Sequence, residues 1–222
     1  IEEKLIKDFR RRYFGPDHER VLNDTLYCLS LMRHHSAPIR LLDFNYSAYI
    51  AAFFAFNDRI PDEQEQHSGA FPVIWCFNTS WLKVALQEFP LIGELIPDRD
   101  MTRDDYSFQQ LYMGPNPQPF VFAENPVFLN ERLIIQQGLF LCPGDISKSL
   151  EDNIKSLHGW TDPNHILKFK FMLPKEAHIE VIKELLSMNI SYASLFPGLD
   201  GFAKSYKQKI LTYKDISEDE LS

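Results

Sequence analysis

The chain has 222 residues, a length that suits a single hydrophobic core, and its 45% hydrophobic content with 18 Phe and 9 Tyr excludes the disordered class. With 23 basic against 31 acidic residues the formal net charge is −8, so the overall field repels polyanions and argues against binding of extended nucleic acid. Cys28, Cys76 and Cys142 are odd in number and widely separated, which disfavours a disulfide framework or a zinc knuckle and predicts buried thiols in a reducing compartment.

No leader pattern opens the chain at Ile1-Glu2-Glu3-Lys4, and the densest apolar run, Tyr46 to Phe56, is about half the length of a membrane span. The expectation is a cytoplasmic protein without a membrane partner. Because the chain starts without methionine and inside a helical pattern, a preceding segment is expected.

Leu5, Ile6, Phe9 and Tyr13 recur at three-to-four-residue spacing, as do Val21, Leu22, Thr25, Leu26, Leu29 and Met32. The spacing predicts two amphipathic helices separated at Gly15-Pro16, the second capped by Asp17 and ending near His34-His35. There the negative end of the helix dipole favours protonated imidazole by a few tenths to about 1 kcal/mol. Pro38 breaks the helix, Ile39 to Phe44 reads as a strand, and Asn45 caps a helix through Asn57 that is apolar on nearly every face and therefore predicted to be buried. Asp62 to Gly69 is a polar loop. Val73 to Phe77 is a strand of the fully buried type, with Thr79 capping a helix through Phe89.

From Pro90 to Pro126 the chain is proline-rich and irregular except for a short helix at Asp104 to Tyr112. Leu139 to Cys142 reads as a strand. Leu167, Phe169, Phe171 and Leu173 alternate with Lys168 and Lys170, the pattern of a half-exposed strand near a sheet edge. A helix from Pro174-Lys175 carries Ile179, Ile182, Leu185 and Leu186 and stops at Asn189; Ser191 to Leu195 is a further short strand, and Gly198 to Ile210 a last helix before an acidic tail.

Three windows concentrate chemistry. In the first, Arg33 to Phe44, two histidines, an arginine and a carboxylate enter beside an apolar run, where an isolated ion costs several kcal/mol. Arg40 and Asp43 are either a structural ion pair, with His34 and His35 capping helix carbonyls, or a phosphate- or ribose-positioning pair beside proton-exchanging histidines. In the second, Asn130, Glu131, Arg132, Gln136 and Gln137 gather amides that donate and accept at once; they suit a base edge, a carboxamide or a sugar hydroxyl, or else satisfy backbone groups at a strand entry. The third, Ser194 to Gly201, brackets Asp200 between two glycines at a strand-to-helix turn, fit for an anion or for simple capping. His158, His165 and His178 lack the spacing of a metal site, and no glycine-rich phosphate loop or GxSxG elbow is present.

In this order the windows resemble the FRG domain family, found mainly in bacterial and phage proteins and named for a Phe-Arg-Gly motif near its start. Its His-rich turn, Ala-Pro, Thr-Arg-Leu-Leu-Asp-Trp and aromatic helix are matched by His34 to Ala55. Its Asn-x-Arg with Gln-x-Gly is matched by Asn130, Arg132, Gln136, Gln137 and Gly138, and its Leu-Phe-Pro-x-Leu-Asp-Gly turn by Leu195 to Gly201. Ile39 replaces the usual Thr and Phe44 the usual Trp, which removes polar contacts at the rim, and the Phe-Arg-Gly motif is expected to precede Ile1.

Boundaries follow as an N-terminal helical segment over 1–29, an FRG-like domain over 30–210 and an acidic tail over 211–222. The expected class is α+β, with a central, mostly antiparallel sheet surrounded by helices. The resemblance leaves two functions open. One is a nucleotide-handling pocket of the ADP-ribosyltransferase type, taking NAD as substrate in a defence or toxin setting. His34, His35, Asp43 and Glu131 are then the catalytic candidates, Glu131 or Asp43 standing in for a glutamate that the Gln-Gln-Gly stretch lacks. Arg40, Asn130, Arg132, Gln136, Gln137 and Asp200 would bind the ligand. The other is a non-enzymatic module that recognises a small-molecule nucleotide or a protein. No metal is expected, and no resident cofactor is implied.

Overall fold

The computed structural model describes residues 1–57, 71–89, 92, 95, 105–126 and 131–213. The predicted loop at Asp62 to Gly69, Asn130 and the acidic tail at Ser217 to Ser222 lie outside the described residues, as does most of the stretch from Pro90 to Asp104. The architecture is α+β, with its strands in two small sheets of three and two members. Length alone suggested one compact unit. The chain gathers into two, one of Ile1–Phe44, Phe77–Phe128 and Leu139–Ile166, the other of Asn45–Cys76, Leu129–Gly138 and Leu167–Ser222.

The first unit opens with helix α1 (Glu2–Arg12), followed by α2 (His18–Asn23) and α3 (Thr25–His34). The single helix expected after Pro16 is two, because the Asp24 carboxylate accepts the Tyr27 N–H at 2.9 Å and so starts a new helix. Arg10 of α1 reaches across and donates to the Val21 carbonyl at 2.8 Å. Asp17 precedes α2 without bonding its amides; its carboxylate accepts from the Tyr27 hydroxyl instead. At the other end of α3, Ser36 takes a left-handed conformation (φ 63°), so that Ser36 and Ala37 donate back to the carbonyls of Arg33 and Met32. This double bond pattern ends the helix without a glycine.

Strand β1 is shorter than predicted, Leu42–Asn45, and Arg40 lies before it in a bend. Between the two sheets' strands in chain order come α5 (Thr79–Gln87) and α6 (Asp105–Tyr112), then β3 (Val121–Glu124), β4 (Gly138–Pro143) and α8 (Leu150–Lys155). The order of the three-stranded sheet is β1-β4-β3; β3 and β4 run antiparallel, with Phe122 opposite Cys142 and Glu124 opposite Phe140. Every residue of central β4 is buried, which is why its sequence runs apolar without alternation. The cap of α5 is Asn78, whose side chain accepts the Trp81 N–H, and not Thr79.

The second unit is built around α4 (Ala48–Phe56), α7 (Glu131–Ile135), α9 (Lys175–Ser187), α10 (Tyr192–Leu195) and α11 (Leu199–Tyr213). Its core is Ile50, Phe53, Leu185 and Leu195, with Ile135, Val181, Tyr192 and Phe196 packed against them. Four expectations are corrected here. Ser47, not Asn45, caps α4, and that helix is not wholly buried: Tyr49 and Phe54 face outward, because one face of a nine-residue helix suffices for the core. Ser191 to Leu195 is no strand, because Ser191 and Ser194 cap each other's backbone N–H groups in a reciprocal box that nucleates a helical turn. And β2 (Val73–Phe77), paired with β5 (Ile166–Lys170), is only half-buried: a two-stranded ribbon has no second layer over both faces. The stop at Asn189 is as predicted, its φ of 60° letting Asn189 and Ile190 donate to Leu186 and Leu185.

Candidate functional site

In the first unit the polar groups of the Arg33-to-Phe44 window divide into a buried set and an exposed set. Arg40 is buried, its side chain 4% exposed, and its partner is Glu2 of α1: Nη2 and Nε lie 2.6 and 2.7 Å from Glu2 Oε2, and the Arg40 backbone N–H donates to Oε1 at 2.8 Å. The remaining donors face the carbonyls of Pro143 and Gly144 and the Met113 sulfur, and the guanidinium lies 5.5 Å from the Tyr112 ring. Tyr112 in turn donates to buried Glu124 at 2.6 Å. Nearby Cys142 has its thiol pushed well up by burial, while the Arg40 charge draws it the other way. The expected pairing of Arg40 with Asp43 is therefore corrected. A buried guanidinium needs a buried carboxylate, and Glu2 is sealed with it, whereas Asp43 is on the surface.

Asp43 pairs with Arg33 at 2.8 Å, both partly exposed. His34 and His35 sit at the end of α3 with ring centroids 4.9 Å apart, edge to face, and His35 is exposed. Within this window Arg33, His35 and Asp43 are thus the accessible polar groups, and Arg40 is the buried one.

The second unit brings together the aromatic helix and parts of the two later windows. Arg132 of α7 lays its guanidinium 4.5 Å over the Phe196 ring, and Phe196 meets Phe54 of α4 at 6.0 Å and Tyr192 at 5.3 Å. The buried Gln136 amide donates to the Leu195 carbonyl at 3.0 Å, tying α7 to α10. Gly201 is required: a Cβ there would land on the Phe196 carbonyl oxygen. Gly198, at φ +96°, turns the chain from α10 into α11.

Gln137 has a left-handed backbone (φ 48°) and an exposed side chain, while its carbonyl accepts the Tyr46 N–H. A glycine fits such a position without strain, and strained non-glycine residues concentrate at functional positions. Glu131 is exposed as the first residue of α7, and Asp200 is exposed in the first turn of α11, where the helix dipole favours a carboxylate.

Of the predicted site residues, Arg132, Gln136, Gln137, Glu131 and Asp200 belong to the second unit, and His34, His35, Arg40 and Asp43 to the first. Glu2, Arg33, Phe54 and Phe196 were not singled out. Phe196 carried a signal, an aromatic residue inside a Pro-Gly turn; Glu2 carried none, since nothing local marks one of two adjacent glutamates as a partner for a distant arginine. Among the described residues no group of three His, Cys, Asp or Glu side chains forms a metal site, and no helix is long and apolar enough to cross a membrane.

Comparison with curated proteins and with solved structures gave no match. Residues 1–64 match the family described as FRG domain. The match takes in α1, the His-rich turn, Arg40 to Phe44 and α4, the stretch in which Glu2 meets Arg40. Over that stretch, less than a third of the chain, it is similar to the FRG domain family, the one that its motifs resemble.

Proposed function

We propose that the chain binds a nucleotide on its second unit, with the Arg132 and Phe196 stack as the platform. The observation that carries this reading is a guanidinium over an aromatic ring, five residues before a strained and exposed amide: Arg132 over Phe196 at 4.5 Å, with Gln137 at φ 48°. Aromatic and guanidinium planes stack bases, by roughly 1–3 kcal/mol per base. An amide side chain reads a base edge or a carboxamide by donating and accepting together. A guanidinium adds positive charge, which suits a phosphate-bearing ligand.

NAD fits this chemistry, since it carries both a carboxamide and a pyrophosphate. In a second reading the domain consumes NAD by cleavage or ADP-ribosyl transfer, in the bacterial or phage defence setting that the resemblance implies. Exposed Glu131, adjacent to Arg132, favours it: a carboxylate near the ribose stabilises the oxocarbenium-like sugar as nicotinamide departs.

Calorimetric titration of NAD and ADP-ribose into the protein tests the first reading. Saturable binding is expected, weakened at least about tenfold in Arg132→Ala and in Gln137→Gly. The glycine variant is the sharper control, because it removes the amide while relieving the backbone. Absence of binding in the parent, or unchanged binding in both variants, overturns the reading. Chromatographic detection of nicotinamide released by the parent and not by Glu131→Gln would select the catalytic version.

A further inference from the structure

Helix α11 carries a second surface that neither the nucleotide platform nor the core uses. Leu199, Phe202, Tyr206 and Ile210 follow one another at intervals of three and four residues and form a single stripe about 16 Å long. They are 80, 49, 50 and 56% exposed. The helix is held by its other side: Gly201, Ser205 and Gln208 are buried, and Gln208 accepts the Tyr192 N–H at 2.9 Å. Four large apolar side chains in register on the outer face of a helix are not needed for that packing, and contiguous exposed apolar surface marks contact sites.

The charge around the stripe says what covers it. α11 contains Lys204, Lys207 and Lys209 against one acidic residue, Asp200, in a chain whose net charge is −8. Lys204 and Lys209 are exposed, and Lys209 Nζ lies 5.4 Å from the Tyr206 ring. A second copy is a poor occupant, since stripe against stripe sets lysine against lysine and adds the repulsion of two acidic chains. An anionic membrane is also poorly matched: polybasic recognition takes about four to eight cations, and here the rest of the molecule is repelled by the same surface.

We infer that α11 docks an acidic amphipathic helix of another protein, which lays its apolar side on Leu199, Phe202, Tyr206 and Ile210 and its carboxylates against the lysines. This is the helix-on-helix mode of recognition, with anchors at i, i+3, i+7 and i+11.

The test uses a synthetic helix of about 18 residues, long enough to be helical, with leucines on one side and glutamates elsewhere, and a counterpart with lysines in place of the glutamates. Fluorescence anisotropy with the intact protein is expected to show saturable binding of the acidic peptide, at least about tenfold tighter than the basic one. Phe202→Ser with Ile210→Ser should abolish it with an unchanged melting temperature, since both residues are about half-exposed. Lys204→Glu with Lys209→Glu should reverse the preference between peptides. Equal binding of the two peptides, or binding that survives the serine variants, overturns the inference. So do co-sedimentation with vesicles containing phosphatidylserine in place of peptide binding, and a dimer in sedimentation velocity that Phe202→Ser dissociates.

Discussion

Two arginines from two motifs have opposite surroundings. Arg40 in the first unit is closed in by Glu2, two backbone carbonyls and a thioether, whereas Arg132 in the second is half-buried against Phe196. The same side chain is therefore sealed in the interior of one unit and half-buried on an aromatic ring in the other, and the deciding quantity is desolvation. A guanidinium removed from water needs a carboxylate and an acceptor for each remaining N–H donor, while one stacked on a ring and half-buried is less completely desolvated. The buried titratable groups of the two units differ in the same way. The first holds a charged pair; the second holds His178, which is buried, donates from Nε2–H to the Phe56 carbonyl at 2.7 Å, and has its basicity lowered by that burial.

The largest effect should come from breaking the first unit's pair. Arg40→Ala or Glu2→Gln leaves a buried ion without its partner and should cost about 3–5 kcal/mol in urea unfolding, whereas Glu2→Leu combined with Arg40→Met should restore most of it. If the single variants unfold like the parent, the pair is not buried and the contrast between the two arginines fails.

In the second unit the corresponding weak point is steric. Gly201→Ala pushes a methyl group onto the Phe196 carbonyl and should cost roughly 1–3 kcal/mol, and under the proposed function it should also weaken nucleotide binding through displacement of the Phe196 ring. An unchanged urea midpoint would show that α11 can move away from Phe196.

The pH response separates the buried groups further. His178 is held neutral, so its folded pKa lies below the ordinary 6.5; between the two values the unfolded chain takes up a proton that the folded chain refuses. Stability from this group is complete above about pH 6.5 and declines as pH falls below it. Unfolding midpoints at pH 7.5 and pH 5.5 should differ in that direction, and His178→Gln, which retains a donor, should flatten the difference.

The smallest and simplest measurement is thiol titration. Cys28 and Cys142 of the first unit are buried, with thiols raised by burial, while Cys76 of the second is exposed. One thiol should react with a disulfide reagent in the folded protein, and the other two on unfolding. Prompt reaction of Cys142 would mean that the interior around Arg40 is open to solvent.

The sequence by itself determined what depends on near neighbours. Helix periods placed α1, α9 and α11, an unbroken apolar run placed β4, and Asn189 marked the end of α9. Local reading erred where two local signals compete: Ser191 to Leu195 has the composition of a strand, yet a two-serine box turns it into a helix. What only the tertiary structure decided is pairing across distance. Glu2 lies 38 positions before Arg40, and no local pattern distinguishes it from Glu3. Phe196 meets a guanidinium only because α7 carries Arg132 over it and Gly201 lets α11 approach. A short sequence window sets backbone preference and amphipathic side, but which charge is desolvated and which ring is covered depends on chain segments that meet only once the fold has formed.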